Sequence, residues 1–463
     1  LVISRFIICS IRSERNYRLQ MKEKTNNIDR SRFADEETLS AIAKEFGTPV
    51  YIVNPSILED EFRRISGCFS ERGIDLKIFY SVKTNPLPVA LKRIFDLGGG
   101  VEIVNDYELQ LVDKFGFPPE RIIVNGGAKS EKLFRDSIAK GFALICLENI
   151  DEVKSVDNIA RRLGVRRNVS LRIKPKLRRN PFDFTLLASS GGYSGFADPN
   201  ELASALTFIK NSEFLKLKGF NFHLGTNIKS AAPFKNAISQ ILKIYKMAWE
   251  KGHEPEIIDI GGGFGFNSIH TINLLEAFKI YGLRKKPKSN SHTSQGIIPA
   301  VAEHLSNEIQ KLKLNRTIKE PAIFIEPGRA LTAACQALLL EVTDAQPGKP
   351  GRVHCNGGAM SLSPLLLAEI HDVTNLSASN KNAYGDYDIM GNLPTPLDVV
   401  ATGKRILKIS KGDILAVWDT GAYFASLGNN FAGPRPAVVL LDDNKIKLIK
   451  RRETVEDILG GDY

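Results

Sequence analysis

From about residue 50 the chain alternates short β-branched runs with longer segments whose apolar residues recur at helical spacing. The runs are IFYSV at 78–82, GVEIV at 100–104, RIIVN at 121–125, ALICLE at 143–148, VSLRIK at 169–174, KGFNFHL at 218–224, EIIDIG at 256–261 and AIFIEPG at 322–328. Between them lie segments such as PVALKRIFDLG and SEKLFRDSIAKG, each with a glycine near its end. Eight β/α units in series predict an α/β fold, a (β/α)8 TIM-like barrel, although periodicity alone does not exclude a doubly wound sheet. After about residue 335 the helical spacing gives way to LLLEVTDA, RVHCNGG, DILAVWD, RPAVVLL and KIKLIKRRE. These runs predict a mostly β C-terminal domain over 336–463, joined by an N-terminal segment at 22–49, with the barrel over 50–335. The polar, proline-punctuated stretch 281–299 reads as a loop between the last two barrel strands.

A chain of 463 residues with 43% hydrophobic and 25% charged content is that of a globular protein too long for one ordinary core. A net charge of +11 raises the question of nucleic acid. The basic clusters at 12–24, 172–179, 284–288 and 445–452 are scattered and carry no nucleic-acid module, so the charge reads as solubility and a taste for anionic ligands.

Five cysteines (Cys9, Cys68, Cys146, Cys335, Cys355) are widely spaced and form no CxxC pair, so neither a disulfide framework nor a metal site is expected, and a reducing cytoplasm fits. The opening LVISRFIICSIRSERNYRLQ is interrupted by Arg5 and followed by basic residues, unlike a signal peptide, and is too short to span a bilayer. With Met21 behind it, the stretch 1–21 is expected to be a non-native or disordered extension outside the fold.

Barrels of this kind place their chemistry at the C-terminal ends of the strands. Lys83 follows the first run, Arg172 lies in the fifth, and His223 ends the sixth. Gly261, Gly262 and Gly263 follow the seventh, and Glu326 ends the eighth. Each has a plainer reading: a solvated lysine, a core histidine, a tight turn. Together they converge on one rim. Three glycines let backbone N–H groups approach an anion, and Arg329 lies where it can add a charged fork, so a phosphorylated ligand is indicated. A lysine across the rim then suggests a Schiff base to an aldehyde cofactor. Glu326 would pair with a pyridine nitrogen and keep it protonated, while His223 would stack on the ring.

With GTPVYIV, YSVKTNP, PPERIIVNGGAKS, FHLGTN, DIGGGFG, EPGRAL, GAY and PRPAVVL in view, the chain resembles the fold type III pyridoxal-phosphate decarboxylases. These are the diaminopimelate, ornithine and arginine decarboxylase group, and the diaminopimelate branch is the nearest; the likeness runs from about Gly47 to the end. It implies the alanine racemase/decarboxylase type of fold, pyridoxal 5′-phosphate as cofactor and α-decarboxylation of an amino acid through a Lys83 aldimine and a quinonoid intermediate. His223 would stack on the ring with Thr226 beside it, and Gly261, Gly262, Gly263 and Arg329 would hold the phosphate. Glu326 would contact the ring nitrogen, Glu102 and Arg172 would brace the site, and Tyr423 would reach the phosphate from the β domain. The resemblance also implies a head-to-tail homodimer with shared active sites, with neither nucleic acid nor membrane as partner.

The substrate-facing half departs from that pattern. The family's Gly-Pro-x-Cys-[Glu/Asp]-x-x-Asp stretch becomes Gly391-Asn-Leu-Pro394-Thr395-Pro-Leu-Asp398. Pro394 can neither donate a proton nor act as a thiolate, Thr395 replaces an acid, and Asp398 is kept. In CNGGAMSLSPLLLAEIHDV, Ser363 and Leu367 stand where the diaminopimelate enzymes carry an arginine and a tyrosine that grip a distal carboxylate. An altered substrate is therefore expected, with Ser363, Thr395 and Asp398 as candidate contacts. Lys83, a water, Cys355, His354 or His371 would return the proton. The alternatives are a racemase on the same barrel, which Glu326 opposes, and a non-catalytic relative, which Pro394 favours.

Overall fold

The computed structural model describes residues 30–177, 194–282, 297–314, 318–443 and 445–460. The expected extension at 1–21 and nearly all of the expected loop at 281–299 lie outside them, although Ile297 already opens a helix that runs to Lys313.

The strands in chain order are β1 (Val50–Val53), β2 (Leu76–Ser81), β3 (Gly100–Ile103), β4 (Ile122–Val124), β5 (Leu144–Leu147), β6 (Arg167–Arg172), β7 (Leu215–Asn221), β8 (Ile257–Asp259), β9 (His270–Thr271) and β10 (Ala322–Ile325). Strands β2 to β8 and β10 form a closed parallel barrel, with β10 paired to both β8 and β2. Each strand falls within or against one of the apolar runs read from the sequence. The helices between them carry their own start and stop signals. Ser130 accepts from Leu133 N–H at the start of Glu131–Lys140, and Gly141 ends that helix in the left-handed conformation.

The second domain adds β11 (Gln336–Gln346), β12 (Gly351–Cys355), β13 (Glu369–Ile370), β14 (Val373–Asn375), β15 (Tyr384–Met390), β16 (Val399–Leu407), β17 (Ile414–Val417), β18 (Ala437–Asp442) and β19 (Lys445–Lys450). Its main sheet runs β16-β15-β12-β11-β1-β18-β19, with β14 and β17 attached through β11. The boundary expected at residue 50 therefore moves. Val50–Val53 is not a barrel strand; it pairs antiparallel with β11 and parallel with β18. Its alternate residues explain the placement, because Val50 and Ile52 pack with Leu39 and Ile42 of the helix Glu36–Phe46 and with Leu339, Trp418 and Val439.

Inside the barrel, Phe79, Ile123, Leu144, Ile257 and Phe324 form an apolar plug of their own. Side chains on one face of a strand recur every two residues. The next inward positions are therefore Ser81, Asn125, Cys146, Asp259 and Glu326, and all of them are buried. Hydrophobic burial closes the bottom of the barrel, and the same alternation places a polar layer directly above it.

Candidate functional site

Lys83 leaves β2 in a short 3-10 turn, Val82–Thr84, and keeps 42% of its side chain exposed at the rim. Its Nζ lies 2.9 and 3.1 Å from the two carboxylate oxygens of Glu102, which is buried at the end of β3. Ser81 donates to the same carboxylate at 2.6 Å. Burial works against the ammonium, but the Glu102 charge and hydrogen bond outweigh it and lift Lys83 above its ordinary range. Glu108 stands behind this pair. Burial, reinforced by the Glu102 charge, pushes its carboxyl up to about 7 while its Oε2 accepts from Val104 N–H at 2.8 Å.

Across the barrel, Glu326 accepts from Asn125 Nδ2 and, at 3.3 Å, from Asn221 Nδ2. It also shares a hydrogen bond with Asp259. Burial first, and the Asp259 charge second, raise Glu326 well above the usual carboxylate range. Asp259 is raised as well, chiefly by burial. Two buried carboxyls in contact cannot both ionise, so the pair holds a proton.

Gly261, Gly262 and Gly263 thread between the ends of β7 and β10. A Cβ on Gly262 would strike the carbonyl of Glu326, and one on Gly263 would strike that of Gly225. Gly261 and Gly263 also adopt φ of 65° and 86°. Of the amides expected to face a phosphate, Gly261 N–H instead donates to Asp259 Oδ1 at 2.8 Å and Gly262 N–H to His223 Nδ1 at 3.3 Å. The carboxylate two residues upstream and the imidazole of the adjoining strand are simply nearer. With Nδ1 accepting, the His223 proton sits on Nε2. Burial, together with the Arg172 and Lys83 cations, pulls His223 down to about 3, so the ring is neutral. Arg172 is itself anchored by Glu148 at 2.8 Å. Thr226 is exposed on the loop after β7.

Tyr423 reaches this rim from the second domain. Its N–H donates to Thr84 O at 2.7 Å, one residue from Lys83, and its backbone takes φ 68°. Nearby, Asn85 Nδ2 donates to Gly421 O at 3.0 Å. A Cβ on Gly421 would collide with Thr332 O, so only glycine allows this close approach.

Three expectations need correction. Arg329 is not an open fork for phosphate: both terminal nitrogens engage Glu369, at 2.8 and 2.6 Å, and its guanidinium lies 5.3 Å from the centre of the Tyr423 ring. Asp398 does not face a substrate. Its two oxygens accept Met360 N–H and Leu393 N–H, both at 2.9 Å, and thereby shape the turn carrying Pro394 and Thr395. Ser363 is fully buried, with Leu365 N–H at 3.4 Å from its hydroxyl. Thr395 is half-buried in that turn and Pro394 is exposed. Of the expected proton donors, Cys355 is buried on β12 with burial pushing its thiol up to about 12, so it belongs to the core. His354 and His371 turn Nδ1 toward the carbonyls of Gly391 and Trp418, at 3.2 and 3.0 Å. No group of metal-binding side chains is present among the described residues.

The sequence reading missed Asn125, Asp259, Glu108, Glu148 and Glu369. The first two follow from strand alternation above the apolar plug. Glu369 carries no such signal, because it arrives from the second domain.

An exposed amine beside a buried carboxylate, a proton-holding acid pair, a neutral imidazole and a glycine cradle without room for a Cβ together fit a pyridoxal 5′-phosphate group. A protein-family model described as "Pyridoxal-dependent decarboxylase, pyridoxal binding domain" matches residues 57–333. The diaminopimelate decarboxylase of Aquifex aeolicus is 26% identical over 431 residues, covering 92% of this chain and 94% of that protein. That of Neisseria meningitidis serogroup A is 27% identical over 435 residues, covering 93% and 98%. The crystal structure of diaminopimelate decarboxylase from M. jannaschii with L-lysine superposes with a TM-score of 0.79 at 23% identity, over 91% of this chain and 94% of that one. The Vibrio vulnificus lysine/ornithine decarboxylase with putrescine does so with a TM-score of 0.69 at 17% identity, over 88% and 98%. With the family model spanning residues 57–333, well over half of its length, this chain belongs to the pyridoxal-dependent decarboxylases.

Proposed function

We propose that this chain removes the α-carboxylate of an amino acid whose far end differs from that of diaminopimelate. The observation that carries the reading is the Lys83 amine, held 2.9 Å from Glu102 on the rim that also presents the Asp259–Glu326 acid pair. When bound, pyridoxal 5′-phosphate supplies an aldehyde for an amine and a ring that takes up the electron pair left as carbon dioxide departs. The chain's own residues do the rest. Glu102 takes or returns the proton of the Lys83 amine. Glu326, oriented by Asn125 and Asn221, keeps a proton inside the barrel where a ring nitrogen can share it. His223 offers a flat, uncharged face, and Arg172 is held beside it by Glu148. With Cys355 in the core and proline at 394, Lys83 is the group on the rim that can return a proton to the α-carbon.

Ser363 and Leu367 in place of an arginine and a tyrosine support an altered substrate. Exposed Leu397, in the turn that carries Pro394, and exposed Leu427 and Phe431 support a homodimer. Free thiols at Cys68, Cys146, Cys335 and Cys355 support a cytoplasmic setting. No helix among the described residues is long and apolar enough to cross a membrane.

The test is to load the protein with pyridoxal 5′-phosphate, confirm an absorbance band that Lys83→Ala abolishes, and assay a panel of amino acids for carbon dioxide and amine. A band with carbon dioxide release supports the reading. A band with racemisation, or with no reaction across the panel, overturns it.

A further inference from the structure

Arg329 carries a guanidinium fork suited to an anion, and the chain fills it from within. The two terminal nitrogens meet the two oxygens of Glu369 in an end-on fork, and both side chains are 4% exposed. Glu369 is delivered by β13, which pairs with β9 on the loop that follows the glycine triplet. His371 backs the carboxylate, with Nε2 3.4 Å from Glu369 and Nδ1 3.0 Å from Trp418 O. Burial opposes the Glu369 charge, yet Arg329 and His371 hold its carboxyl below the ordinary range. Lys229, after β7, lies close enough to feel both charges and forms no ion pair among the described residues.

The pair is linked to the reactive amine through Tyr423. Arg329 stacks under Tyr423, whose N–H is tied to Thr84 next to Lys83. Buried ion pairs are often no more stabilising than apolar side chains of the same volume, so fold stability alone is a weak reason for one here. Selectivity is a better one. A tethered carboxylate meets the fork without the association entropy an external carboxylate must lose.

Resting on the decarboxylase reading, we propose that Glu369 is a built-in anion that closes the Arg329 fork to a substrate's side-chain carboxylate. The site thereby selects amino acids whose far end carries no free carboxylate. Glu369 acts through Arg329 and is a positioning residue for specificity.

Glu369→Ala deletes the atoms of an acetate ion and leaves the fork open. The thermal midpoint of the cofactor-loaded variant should rise saturably with sodium acetate relative to sodium chloride, while the wild type should not respond. A variant that folds and ignores acetate overturns the proposal. The wild type supplies a second arm that needs no substitution, in which amino acids of equal length with neutral or carboxylate ends are titrated against the cofactor's absorbance. Neutral-ended ones should bind roughly tenfold tighter or more, because a second carboxylate meets the Glu369 charge. Equal or tighter binding of the acid-ended set overturns the proposal. If the cofactor band itself fails to form, the decarboxylase reading fails, and the acetate arm, repeated on the cofactor-free variant, still decides whether Glu369 closes the fork.

Discussion

Asp259, at the end of β8, and Glu326, just beyond β10, hold their carboxyl groups in hydrogen-bonding contact inside the barrel. Both are buried, and Asp259 pairs in register with Phe324, two residues before its partner. The native pair keeps a proton that the unfolded chain releases once the pH passes the ordinary value of 4.5 for Glu326. Unfolding free energy of the cofactor-free protein should therefore fall as pH rises above that value, because the unfolded state then binds fewer protons. Glu326→Gln mimics the protonated acid and should flatten the dependence of the thermal midpoint between about pH 5 and 8. Parallel profiles for wild type and variant would contradict a shared proton. In the loaded enzyme the same variant should lose on the order of 10²-fold in turnover, since the glutamine amide has no acidic proton to transfer to a ring nitrogen.

Lys83 has two roles, as reactive amine and as counter-charge to Glu102, and two substitutions separate them. Lys83→Arg keeps the charge and should fold with a thermal midpoint close to the cofactor-free wild type, but without the absorbance band or turnover. Lys83→Met leaves the Glu102 charge without its cation and should cost about 1 kcal/mol, a modest figure because the amine is partly exposed and screened. Chemical denaturation of the three cofactor-free proteins checks the ranking.

His223 should stay neutral across the working range. Its ring is held down to about 3, so the native state loses stability as pH falls from 6.5 toward that value, where the unfolded histidine takes a proton first. Imidazole resonances followed by NMR should show no titration of His223 between about pH 5 and 8. A midpoint near 6.5 would mean that the ring is solvated rather than packed beside Arg172 and Lys83.

Gly262 and Gly421 should behave differently on substitution by alanine. At Gly262 the new methyl presses on the carbonyl of Glu326 and moves the acid pair. Cofactor affinity should weaken while stability falls by about 1–3 kcal/mol. At Gly421 the methyl meets Thr332 O between the two domains, so the midpoint should drop with little accumulation of folded protein. Thermal melts and cofactor titration distinguish the two cases.

The barrel was legible because its strands are short, β-branched and regularly spaced, and burial on both faces demands that pattern. The strand Val50–Val53 fell inside the stretch assigned to the barrel; only its partners, β11 and β18, reveal its domain, and pairing across nearly four hundred residues leaves no local trace. Lys83, His223 and Glu326 were readable as polar residues at strand ends, whereas Glu102 came only with the family resemblance. Arg329 and Asp398 were misread because an arginine or a carboxylate in a motif does not announce its partner. The buried Glu369, and the Met360 and Leu393 amides, decide what those two side chains can reach.

Because β1 lies at the centre of a sheet whose neighbours begin at Gln336 and Ala437, the early strand stays unpaired until most of the polypeptide has been synthesised. A fragment trimmed to the barrel would lose that strand's neighbours, and with them the Tyr423 tether on Thr84. Assembly of the reaction centre thus waits for segments far apart in the chain, and a product cut before Tyr423 is born without a finished rim.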